Sequence, residues 1–112
     1  MNTLIRERAS RIFAALSHAT RLRIIEQLCT GEKTVNEIAA DLHLGQSGTS
    51  QHLAVLTRAG LLAVEQHGVS RVYRLRGPRI QRILDLIAEF CEVHELYGSP
   101  EETADIVQEQ IA

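Results

Sequence analysis

Tryptophan is absent from these 112 residues, and aromatic side chains make up only 4% of them. A core must then be built from Leu, Ile, Val and Ala, which suits packed helices better than stacked sheets. The expected class is mostly α. No apolar run approaches the length of a membrane span. The first residues, MNTLIRERASRIF, alternate charge with hydrophobes where a signal peptide needs an unbroken apolar segment. No membrane partner is expected, and the expected location is cytoplasmic. The only cysteines are Cys29 and Cys91, which in that compartment should be reduced thiols rather than a structural disulfide. Repeats, low-complexity stretches and linkers are also missing, so residues 1–112 are expected to form a single domain.

A compact catalytic signature is lacking too: there is no nucleophile paired with a base, no metal set and no phosphate loop. Ser50 and His52 stand two apart on a helical pattern and point to different sides, so they make no dyad. The reading is of a protein that is not an enzyme and requires no cofactor. The net charge of −2 looks wrong for a nucleic-acid binder, but it averages two unlike ends. Residues 1–75 carry nine Arg or Lys against six acids, and residues 76–112 carry three against eight. A basic face and an acidic tail are separable, so the overall sign does not exclude DNA.

What is present is 45% apolar content, arranged at helical spacing. Leu4, Ile5, Ile12, Phe13 and Leu16 mark one face of a first helix. Ser17 can cap a second, in which Leu22, Ile25, Leu28 and Cys29 recur and which Gly31 stops. Thr34 with Glu37 forms a capping box opening a third helix, with Val35, Ile38, Ala39 and Leu42 inward. Leu44 and Gly45 make a turn, and a fourth helix runs from Gln46 to about Ala59, burying Leu53, Val55 or Leu56, with Gly60 closing it. The stretch from Leu61 to Leu75 reads as a β-hairpin around His67-Gly68. After Gly77 and Pro78, a long amphipathic fifth helix carries Ile80, Ile83, Leu84, Ile87, Cys91 and His94. A last helix is expected after Ser99.

The third and fourth helices with their tight turn form a helix-turn-helix, whose second helix enters the major groove by its N-terminal side chains. Ser47, Thr49, Ser50, Gln51 and His52 occupy that start, and the backbone N–H groups there can hold a phosphate. Gln51 is suited to adenine edges, because its amide both donates and accepts. Arg71 and Arg74 in the hairpin, with His67 at its tip, are placed to meet phosphates or a minor groove. The fold class is therefore mostly α with a β-hairpin wing (α+β), and double-stranded DNA is the expected partner. A small core with an apolar fifth-helix stripe, which otherwise leaves Leu4, Ile5 and Ile80 exposed, predicts a homodimer.

The segments ALSHATRLRIIEQL, TVNEIAADLHLGQSGTSQHLAVLTRAGLL and VYRL resemble the ArsR/SmtB family of winged helix-turn-helix repressors, from about Phe13 to Tyr97. The resemblance implies a homodimer through the first and fifth helices, a near-palindromic operator, and release from DNA by an inducer. It places Ser47 to His52 on the recognition helix and the wing on Val64 to Leu75. His18-Ala19 stands where the family more often has Asp-Pro.

The same resemblance frames the sensor. Relatives that sense arsenic or lead carry paired cysteines in the third helix, where this chain has Lys33-Thr34-Val35-Asn36-Glu37. Zinc or nickel sensors use ligands at opposite ends of paired fifth helices; Cys91 and His94 have the spacing for one end, while Arg79 and Ile80 stand near the other. A third group links one cysteine in the second helix to one late in the fifth. Cys29 and Cys91 fit that outline, although Glu26 holds the place of that group's first cysteine. Two buried structural thiols, a thiol switch, and a Cys91/His94 metal site remain alternatives, as does a winged-helix protein-interaction module without an inducer.

Overall fold

The computed structural model describes residues 1–93; Met1–Gln81 form one compact unit, and the described part of a second begins at Arg82. His94 and the helix expected after Ser99 lie outside the described residues. The order is α1 (Thr3–Leu16), α2 (Ala19–Leu28), β1 (Lys33–Thr34), α3 (Val35–Leu42), α4 (Gln46–Arg58), β2 (Leu62–His67), β3 (Ser70–Leu75) and α5 (Arg79–Val93). Among the described residues, no helix is long and apolar enough to cross a membrane.

The caps explain where the helices begin. Asn2 opens α1 by accepting the Ile5 N–H. The expected cap of the second helix is corrected: Ser17 ends α1, its hydroxyl donating to the Ala14 carbonyl, and His18 caps α2 through Nδ1, which accepts the Thr20 N–H at 3.2 Å. An imidazole nitrogen does here what a serine oxygen commonly does. The Thr34–Glu37 capping box is present as expected. At the tight turn the left-handed residue is His43, with φ 54, rather than a glycine, and the Leu44 N–H closes the helix end on the Ala39 carbonyl. A non-glycine residue there costs some backbone strain.

The core of the first unit is aliphatic, with Ile24, Ile25, Ile38, Leu53 and Leu56 fully buried where α2, α3 and α4 meet. Ile80, expected to be exposed, is buried instead at 9%. In α1 only Ala15 and Leu16 are buried, while Leu4, Ile5 and Phe13 stay exposed. The hairpin is part of a three-stranded antiparallel sheet in the order β1-β3-β2, with Lys33 opposite Tyr73 and Thr34 opposite Val72. His67 pairs with Ser70, so the turn residues are Gly68 and Val69, one position later than the expected His67-Gly68, and Gly68 takes the positive φ of 61. In the second unit α5 exposes Ile83, Leu86, Ile87 and Phe90 at helical spacing. That stripe includes Leu86 and Phe90, which the sequence pattern had left out.

Candidate nucleic-acid interface

Helix α4 starts at Gln46 because Gly45 leaves the turn in an extended conformation, φ −69 and ψ 150, and no side chain caps the helix. Ser47 is therefore not a cap, and the first N–H groups of α4 keep their capacity for an external acceptor. Of the five side chains expected at this start, Ser47, Ser50 and Gln51 are exposed on the outer face. The other two are not.

Thr49 is a correction. It is fully buried, because it shares the inward face with Leu53 and Leu56 one and two turns on. Its hydroxyl donates to the Gly45 carbonyl at 2.8 Å and cannot reach a base edge. Thr49→Val is expected to cost about 1 kcal/mol or less, because the same carbonyl still accepts the Thr49 backbone N–H. The ratio of specific to non-specific DNA affinity should not move. Denaturant unfolding beside competition binding reads both, and a collapsed ratio would return Thr49 to the interface.

His52 is half-buried and faces α2. Its Nδ1 accepts the Arg21 Nε–H at 3.2 Å, and its ring centroid lies 4.7 Å from that of His18. Burial, and then the neighbouring His18 and Arg21, hold the His52 imidazole below the usual histidine range. Base reading therefore does not describe its surroundings; bracing does.

The wing arginines fall on opposite faces. Arg71 stands across from Gln66 and Tyr73 across from Val64, and because side chains alternate along a strand these four share one face. Arg74 stands across from Ala63 on the other face. Arg71 lines a groove of about 330 Å³ between the sheet and the helix-turn-helix, together with Asn36, Gln46, Ser50, Gln66 and Tyr73. Arg74 instead approaches Glu65 at 3.9 Å, and the same carboxylate meets the His67 Nε2 at 3.2 Å. Arg71 thus joins the face of the recognition helix, while His67 and Arg74 share an acid behind it. Asn36 and Gln46 were missed in the sequence. The signal for them was their place on the first turn of each helix of the motif.

Of the sensor candidates, Cys29 is half-buried at the end of α2 and Cys91 is exposed on α5. Among the described residues no group of three or more His, Cys, Asp or Glu side chains could hold a metal. At the other end of α5, Arg79 is a cation and Ile80 a buried hydrocarbon, so neither donates to zinc or nickel. The residues there do not fit a paired fifth-helix metal site.

The pattern of the bacterial regulatory protein family arsR matches residues 18–64, from the cap of α2 into β2. The HTH-type transcriptional regulator KmtR of Mycobacterium tuberculosis is 32% identical over 89 residues, which are 80% of this chain and 68% of that protein. The chain belongs to the arsR family. A second M. tuberculosis relative, the uncharacterized HTH-type transcriptional regulator Rv0081, is 37% identical over 73 residues, and the matched part spans 64% of each chain. In structure, this arsR-family chain is similar to the homodimeric winged helix-turn-helix DNA-binding domain Mb0332 from Mycobacterium bovis. The TM-score is 0.76 at 26% identity, covering 81% of this chain and 84% of that one. The arrangement of α3, α4 and the β2–β3 wing is thus that of a winged helix-turn-helix DNA-binding domain of this family.

Proposed function

We propose that the chain is a sequence-specific transcriptional repressor that clamps a near-palindromic operator as a homodimer. The observation that carries this reading is the shared outer face of Ser47, Ser50 and Gln51 on α4 with Arg71 across the groove. The amide and hydroxyls read base edges in the major groove, and the guanidinium and the uncapped start of α4 hold phosphates. Dimerisation is the reading of the exposed stripe Ile83, Leu86, Ile87 and Phe90 on α5, with Leu4, Ile5 and Phe13 on α1. Such apolar faces belong under a partner, and the similar M. bovis domain is homodimeric. A dimer bound across a promoter represses by occupancy alone.

Release by thiol chemistry at Cys29 and Cys91 is the inducer reading we retain: a two-electron oxidant joins the two sulfurs and takes up the electrons as the thiol protons leave. Gel-shift titration against DNA upstream of the chain's own coding region tests both parts. A sharp, competitor-resistant shift that disappears on oxidation and returns with reductant is expected. Only a salt-sensitive smear would sink the repressor reading, and a shift indifferent to oxidant would sink the thiol route.

A further inference from the structure

One cluster in the first unit takes no part in meeting DNA as described so far, yet it touches the helix that does. His52, in the second turn of α4, accepts the Arg21 Nε–H on its Nδ1 at 3.2 Å. The Nη1 of the same guanidinium donates to the Ala15 carbonyl at the end of α1 at 3.2 Å. Arg21 is thereby a bridge with one arm on α1 and the other on α4. Beside it, His18 caps α2 through its own Nδ1 and tilts its ring against that of His52, 4.7 Å away at 60°.

Both imidazoles are used as acceptors, and that sets a requirement on protonation. Arginine carries only donors and stays charged, so the bond to His52 exists only while the His52 Nδ1 holds a lone pair. A proton placed there meets a guanidinium N–H head-on. We propose that His52 is a positioning residue whose neutral imidazole ties the DNA-reading helix to α1 and α2, so that acidification loosens the recognition helix and lowers specific DNA affinity. The proposal rests on the DNA-binding reading above.

The charges acting on His52 are those of His18 and Arg21, and with burial they all oppose its protonation. The only other charged side chain of α4 is Arg58 at its far end, and α1 contributes the Ala15 carbonyl through Arg21. The sign follows from linkage. The folded state holds the proton more weakly than the unfolded chain, whose histidine titrates near 6.5. The stabilisation is therefore fully present above that value and is lost as pH falls through the lower folded pKa.

His52→Asn supplies the test. Asparagine offers an oxygen near the place of Nδ1, accepts from Arg21, has a helix propensity similar to that of histidine, and does not titrate. Specific and non-specific DNA affinities of the full chain are measured by fluorescence anisotropy from pH 7.5 to 5.5, with imidazole NMR following the titration of His52. In the wild type the specific-to-non-specific ratio should fall severalfold as His52 gains its proton. In His52→Asn it should stay level, and in His52→Ala it should be low at every pH. Taking the ratio cancels any change in general phosphate attraction with pH, which moves both affinities alike. A wild-type ratio that stays level while NMR shows His52 protonating overturns the proposal and leaves DNA reading intact. Absence of operator preference at pH 7.5 overturns both.

Discussion

Leu86→Glu should convert the protein from a dimer to a folded monomer. Leu86 is 56% exposed on α5, flanked on the same face by Ile83, Ile87 and Phe90, so a carboxylate there disturbs little within one chain. In a two-fold interface the substitution occurs twice. Each lost leucine removes about 1.5–3 kcal/mol of burial, giving a dimer roughly 10²–10⁴-fold weaker before the cost of enclosing two carboxylates is added. Operator affinity should fall by a similar factor, about 10²–10⁴, because the second half-site no longer binds at the effective concentration set by the first. Light scattering and operator binding measured together decide the point. A Leu86→Glu protein that remains dimeric would move the interface away from this stripe.

Gln51→Ala should have the second largest effect, and a different signature. Its amide stands on the outer face of α4 between exposed Ser47, Ser50 and Ala54. A bidentate amide contact to adenine is worth about 1–3 kcal/mol of discrimination. Two half-sites double it, so specific affinity should drop by roughly 30-fold to 10⁴-fold. Non-specific affinity, which comes from phosphate contacts, should change little. The salt dependence of binding should likewise keep its slope, since no cation has been removed. Equal losses of specific and non-specific affinity would show that Gln51 only positions the helix.

The helices, their order and the hairpin were legible because each repeats a local rule over many residues. The capping box at Thr34 and Glu37, and Gly60 with φ 87 after α4, are decided by the chain within one turn. The two-residue strand β1 was not legible, since Lys33 and Thr34 are too few to show alternation and pair with β3 some forty residues on. Thr49 was misread for its chemistry: a hydroxyl at a helix start suggests contact with DNA. Its spacing to Leu53 and Leu56 already put it inside. Arg71 and Arg74 stand three apart in a strand, and that odd spacing sends them to opposite faces.

The sequence alone determined the family, the helix-turn-helix and the polar start of its second helix, because periodicity, caps and turn residues act over a few neighbours. Which of those polar side chains face outward is another matter. Tertiary structure drew His52 onto Arg21 and His18, set Arg71 in the groove beside α4 and brought Arg74 towards Glu65. Each of these outcomes depends on a partner distant in sequence, and only folding brings such partners within hydrogen-bonding range.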